Sequence, residues 1–191
     1  MGRLDRIEAP WTAASFLVTD QRTFGNAWRY ELVDGVVVAH AAPSPRHGQL
    51  QARVALALGR RLDDHPCILE IGSGATPLDE QRATARIPDL LIRCDGQPRV
   101  LFEVVSPSEL RTRRARDRRR RDQQEIGTVE EIIEIYQDEP SVHLYRRSRD
   151  GIWAFEAFAD LDATVRLTSI DLDLPLAEIY KGIGFDDPPD E

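Results

Sequence analysis

The chain has 191 residues, 41% hydrophobic and 30% charged, with 33 acidic against 25 basic side chains and a net charge of −8. That describes one globular domain, of a size that buries roughly 70% of its unfolded surface, and the acidic balance argues against a polyanionic partner unless charge is unevenly distributed. Two cysteines, Cys67 and Cys94, are too few for a disulfide framework and lack metal-ligand spacing, so they read as buried thiols of a cytoplasmic protein; no apolar run suits a signal peptide or a membrane span.

Taken in chain order, residues 11–21 suit a short helix. "WRYELVDGVVVAH" reads as two strands hinged at Asp34-Gly35, a strong hairpin signal. After the Pro-rich "APSPRH", the segment "HGQLQARVALALGRRL" puts Leu50, Val54, Ala57 and Leu58 on one helical face. "CILEIGSG" is a strand ended by glycines, and "GSGAT" is a turn rather than a phosphate loop, because no Gly-Lys-Ser/Thr follows. "EEIIEIYQDEPSVHLYRR" is a hairpin turning at Gln137 to Pro140. "GIWAFEAF" and "ATVRLTSIDLDL" are further strands, and "PLAEIYKG" is a closing helical turn. The expected fold is α/β, a mixed sheet with helices, forming a single domain over residues 1–185 with a disordered acidic tail at 186–191.

The segment "RIPDLLIRCDGQPRVLFEVVS", residues 86–106, carries carboxylates inside two apolar runs. Asp95-Gly96-Gln97-Pro98 is a turn signal, so the runs form a hairpin. Centred on Gly96, it pairs Leu90 with Phe102, Ile92 with Val100 and Pro88 with Val104 on one face, and sets Asp89 opposite Glu103 on the other. Two carboxylates that close repel, an arrangement kept for a shared proton or a shared cation. A hard divalent ion such as Mg²⁺ suits one or two carboxylates completed by water and phosphate oxygens. The alternative is that Asp89 caps a strand end and Glu103 pairs with a nearby arginine.

"YELVDG" at 30–35, "PSPRH" at 43–47, "RIPD" at 86–89, "EVVSPS" at 103–108, "GTVEEIIEIYQDEP" at 127–140 and "LPLAEIY" at 174–180 occur in one order. Together they resemble the Uma-type restriction endonuclease family of the PD-(D/E)XK nuclease superfamily. The resemblance implies a restriction-endonuclease-like fold, a mixed β-sheet flanked by helices. It further implies an endonuclease dependent on Mg²⁺ or Mn²⁺ and acting on DNA as a homodimer. On that likeness Asp89 and Glu103 are metal ligands, Glu31 is a third acidic member, and His47 and Ser106 lie near the site.

The likeness also exposes a departure. The superfamily's lysine, which in this family moves from the strand to the following helix, is missing: Val105 holds the strand position and Lys181 is the only lysine. Counting from Asp117-Arg118 sets Arg121 in its place; counting back from Gly127 sets Arg119 there. Arginine can stabilise phosphate charge but is never a base at physiological pH. Residues 111–121 hold eight arginines, and the segment lacks the apolar stripe by which a surface helix packs. Arg113, Arg114, Arg116, Arg118 and Arg120 then form a basic ridge suited to phosphates. Two other readings stand beside the nuclease: an inactive family member that only binds nucleic acid, and an interaction protein whose arginine helix docks an acidic partner.

Overall fold

The computed structural model describes residues 7–8, 11–76, 83–107 and 112–185; Arg111 and the acidic end 186–191 lie outside the described residues. A two-residue strand β1 (Ile7–Glu8) pairs with β3 (Val36–His40), which pairs in turn with β2 (Arg29–Val33). The turn between β2 and β3 is the expected Asp34-Gly35, with φ of 49° and 76°, the two positive angles that a tight hairpin requires. Helix α1 (Ala13–Val18) folds over this small sheet and buries Phe16 against Phe24, Tyr30 and Leu32.

Ser44 starts helix α2 (Pro45–Leu62): its hydroxyl accepts from the His47 N–H at 3.2 Å, and Pro45 occupies the first turn. Both features are ordinary helix openers. Six strands then form the main sheet: β4 (Ile68–Ile71), β5 (Leu90–Cys94), β6 (Gln97–Val105), β7 (Glu131–Tyr136), β8 (Val142–Arg147) and β9 (Trp153–Phe158). Their spatial order is the chain order, and only β6 and β7 run parallel. The crossover between those two carries helix α3 (Arg113–Gln124). A hairpin of β10 (Thr164–Leu167) and β11 (Leu172–Pro175) leads into the short helix α4 (Leu176–Ile179).

Strand alternation divides the sheet into two faces. Leu90, Ile92, Val100, Phe102, Val104, Ile133 and Ile135 meet Leu50, Val54 and Leu58 of α2, together with Val165, Leu174 and Ile179, in the main core. Glu131 serves this side structurally: it takes Arg146 at 2.9 Å and the backbone N–H groups of Thr168 and Ser169 at 3.1 and 3.2 Å. The opposite face bears Leu91, Leu101 and Ile132 at one end and a row of polar side chains at the other.

The β5–β6 hairpin follows the expected register at Leu90–Phe102, Leu91–Leu101 and Ile92–Val100, but Arg93 pairs with Pro98 and Cys94 with Gln97. The cause is the turn. Asp95 and Gly96 both have positive φ, 51° and 75°, and a two-residue turn pairs its flanking residues, one register step away from what the core demands. An irregularity at Ile92/Arg93 reconciles the two.

The cysteine expectation needs correction: Cys67 and Cys94 are joined in a disulfide. Ile68 pairs with Arg93 across β4 and β5, so the next step of that register brings the two cysteines together with Cα atoms 4.2 Å apart. A separation of 27 residues hides a contact that only strand pairing reveals. Among the described residues, no helix is long and apolar enough to cross a membrane.

Candidate active site

The polar row on the α3 face begins at Asp89, just before β5, and continues through Glu103 on β6, Glu134 on β7 and His143 on β8. Glu103 is the parallel register partner of Glu134, which in turn pairs with His143. Asp89, Glu103 and Glu134 are 4%, 5% and 2% exposed. Buried carboxylates survive only when paired or protonated, and each of these has found a different solution.

Asp89 is held ionised. Its Oδ1 lies 3.0 Å from Arg29 Nη1 and 3.2 Å from His47 Nε2, and its Oδ2 accepts from the Val104 N–H at 2.8 Å. Burial opposes the charge, but His47, Arg29 and the Val104 amide together keep the carboxyl below its usual value. Helix α2 supplies His47 from its first turn. There Gln137 Nε2 lies 3.3 Å from His47 Nδ1, and the Ser44 hydroxyl donates to Gln137 Oε1 at 3.1 Å. With Gln137 donating to Nδ1, the Nε2–H is left to point at Asp89. Gln51, one helical turn further on, donates to the Asp89 carbonyl at 2.9 Å.

Glu103 goes the other way. Its Oε1 accepts from Gln123 Nε2, and Arg119 Nη1 stands 3.6 Å from Oε2. Burial outweighs the pull of Arg119, Asp89's charge adds repulsion, and the carboxyl is pushed up to about 8. Gln123 is 1% exposed and lies one helical turn beyond Arg119, so a single face of α3 presents both groups to Glu103.

Glu31 sits two residues beyond Arg29, hence on the same face of β2. It is 0% exposed and accepts from Arg86 Nη1 and the Ile87 N–H, each at 2.9 Å, with His40 Nε2 at 3.1 Å. Burial opposes its charge, but His40, Arg119 and Arg86 hold it well below the carboxylate range. Arg86 also donates to Asp122 Oδ2 at 2.9 Å through Nε, which ties β2 to the end of α3. Ser106 follows β6 directly and is half-buried.

The arginines of α3 fall into two sets. Arg120 donates to Glu134 Oε1 at 2.9 Å and to Asp117 Oδ1 at 2.6 Å, and its guanidinium lies 4.5 Å from the Tyr145 ring centroid. Arg118 pairs with Asp34, and Arg116 lies 5.9 Å from the Tyr136 ring centroid. Arg113, Arg114 and Arg121 are exposed. The inner set explains how a helix without an apolar stripe can dock: the sheet offers it acids and aromatic rings.

Asp89, Glu103 and His47 therefore converge, as does Arg119, whereas Arg121 faces outward. Glu31 is engaged by Arg86 rather than turned to Glu103. Arg29, Arg86, Gln123 and Glu134 were not anticipated. Gln123 had a signal in its i+4 spacing from Arg119, and Arg86 stood inside "RIPD"; Glu134 needed the parallel register. Among the described residues, no group of three or more His, Cys, Asp or Glu side chains is disposed to hold a metal. Two carboxylates, one with raised proton affinity, still fit Mg²⁺, which takes one or two carboxylates and completes its shell with water.

The fold is similar to that of a crystal structure from Anabaena variabilis described as "a putative nuclease belonging to DUF820", with a TM-score of 0.65 and 16% identity over 90% of this chain and 98% of that one. At that identity the likeness concerns the fold. No curated protein matches the chain. The family model described as "Putative restriction endonuclease" matches residues 16–177, and the chain belongs to that family, Uma2.

Proposed function

We propose that the chain is a divalent-metal-dependent endonuclease that hydrolyses phosphodiester bonds of DNA at a site formed by Asp89 and Glu103. The observation that carries this reading is two buried carboxylates on one face of the sheet, Asp89 bonded by the Val104 N–H at 2.8 Å and Glu103 faced by Arg119 at 3.6 Å, with burial raising the proton affinity of Glu103. A cation could displace the Glu103 proton and relieve the repulsion in one step. Asp89 and Glu103 would hold Mg²⁺ or Mn²⁺, which when bound activates water and neutralises charge on the phosphate.

Each neighbour then has a role. His47, braced by Gln137, orients Asp89; Gln123 fixes Glu103; Arg119 offers its guanidinium to the phosphate in place of the superfamily's lysine. That group stabilises charge and leaves water activation to the metal, since arginine does not deprotonate. Glu31 supports the site through Arg86, and Ser106 borders it at the end of β6. Exposed Arg113, Arg114 and Arg121 are the arginines of α3 available to contact DNA phosphates. A homodimeric state belongs to this reading by family analogy.

The second reading is an inactive relative that binds nucleic acid, favoured by the arginine at position 119 and the valine at 105. Mn²⁺ titration calorimetry with plasmid nicking separates the two. Metal binding with cleavage supports the enzyme. Metal and DNA binding without cleavage supports the binding module. The acidic-partner reading is weakened because Arg118 and Arg120 already pair with acids of this chain.

A further inference from the structure

Beside the acidic site lies a wide, open surface cavity of about 560 Å³ lined by Asn26, Trp28, His40 and four alanines. That volume is ordinary for a small-molecule subsite. The wall is unusual. Trp28 is 69% exposed and is the only exposed tryptophan of the three, although burying an indole is normally among the larger gains of folding. The small alanine side chains leave the cavity open to a flat ring. Asn26 brings an amide that can both donate and accept.

The cavity is joined to the site by two residues. His40 lines it, and its Nε2 lies 3.1 Å from Glu31 Oε2. Trp28 directly precedes Arg29, which reaches Asp89 at 3.0 Å and pairs with His40 across β2 and β3. The turn carrying Trp28 is anchored: the Ala27 N–H donates to Tyr30 Oη at 3.0 Å, and the Tyr30 N–H donates to Gln21 Oε1 at 3.0 Å. Tyr30 itself is buried at 6% exposure. The backbone that carries this exposed indole is thus anchored beside the carboxylates.

We propose that this cavity is a nucleobase subsite, in which an unpaired base stacks on Trp28 while its strand runs past Asp89 and Glu103. The assignment rests on the nuclease reading and narrows its substrate to single-stranded or locally unpaired nucleic acid. A base inside a duplex cannot enter a lateral cavity without leaving its stack, and every base offers a ring face, so stacking here is tolerant of sequence.

Fluorescence anisotropy with labelled 12-residue oligothymidylate and a duplex of equal length, in metal-free buffer at about 50 mM salt, tests this. Trp28→Ala should weaken the single strand about ten-fold while changing duplex affinity less than about two-fold, and Trp28→Phe, which keeps a ring, should recover most of the loss. Wild-type tryptophan emission should also be quenched by the single strand. Unchanged single-strand affinity in Trp28→Ala, or equal loss on both probes, overturns the subsite. If the wild type binds neither probe, the nucleic-acid reading falls and the subsite with it; loss confined to the subsite leaves Mn²⁺ binding at Asp89 and Glu103 intact.

Discussion

Glu103 and Glu134 stand side by side in the parallel register of β6 and β7, and consecutive residues of one helix, Arg119 and Arg120, face them in turn. The two contacts differ in kind. Arg120 makes a close bond to Glu134 at 2.9 Å, whereas Arg119 stays 3.6 Å from Glu103. One pair docks the helix; the other leaves Glu103 able to hold a proton or a cation.

Arg120→Gln should therefore destabilise the fold. It removes the principal partner of a carboxylate that is 2% exposed and leaves an uncompensated buried charge, a loss of about 3 kcal/mol. Urea unfolding of the single variant and of Arg120→Gln/Glu134→Gln checks it. The double variant should recover most of the loss, because both charges are then gone. A single variant as stable as wild type would contradict the docking role.

The pH dependence follows from Glu103. Its folded value, about 8, lies above the ordinary 4.5, so the folded state retains a proton that the unfolded state has released. The stabilisation is complete below about pH 4.5 and is lost as pH rises through about 8. Asp89 is shifted downward from 3.8, so its contribution is constant over that window. His143, which burial shifts downward from 6.5, contributes with the opposite sign, so the Glu103 contribution is read as a difference: between about pH 5 and 8 the melting temperature of the metal-free wild type should fall relative to that of Glu103→Gln. Glu103→Gln should also leave stability equal or higher at the upper end of that window. Mn²⁺ affinity of the wild type should rise over the same window; unchanged metal affinity in both Asp89→Asn and Glu103→Gln would end the metal-site reading.

The hairpin at Asp34-Gly35, the pairing of β5 with β6 though not its two-residue turn, the α2 helix and the Asp89–Glu103 neighbourhood were legible because each rests on local periodicity or turn chemistry. The disulfide and the Glu134 contact were not, since both depend on which strands become neighbours. The arginine helix was half legible. Its charge excluded apolar packing, but the acids that receive it lie on strands up to one crossover away.

Cys67 and Cys94 close a loop across β4 and β5, and a covalent clip of that span stabilises by roughly 3 kcal/mol through the unfolded chain. Thiol titration in denaturant without reductant should find no free cysteine, and Cys94→Ser should lower the urea midpoint. Two titratable thiols would mean that the pair is reduced and that the clip contributes nothing.

Exposed Arg113, Arg114 and Arg121 should carry the phosphate contacts of α3. Replacing all three by Gln should flatten the log–log salt dependence of duplex binding by about 0.9 for each phosphate that an arginine had neutralised. Stability should hardly change, since Arg113 reaches Asp117 only at 3.8 Å with 82% of its side chain exposed. An unaltered salt slope would exclude this face.

Arg119→Lys is the sharpest test of catalysis. Position 119 faces Glu103 and lies on the helical face of Gln123, whereas Arg121 is exposed. A lysine at 119 restores the family's residue type in a partly buried place, where its ammonium can lose a proton more readily than a guanidinium. Plasmid nicking with Mg²⁺ or Mn²⁺ should be weak but measurable in the wild type. It should rise about ten-fold in Arg119→Lys, less than the roughly 10²–10⁴-fold of an optimally placed proton-transfer group, and stay within about two-fold in Arg121→Lys, a surface change away from the site. A rise at 121 instead would mean that the helix register beside Glu103 differs from the one described. If wild type and both variants are inert while each binds metal and DNA, the nuclease assignment fails and the binding module takes its place.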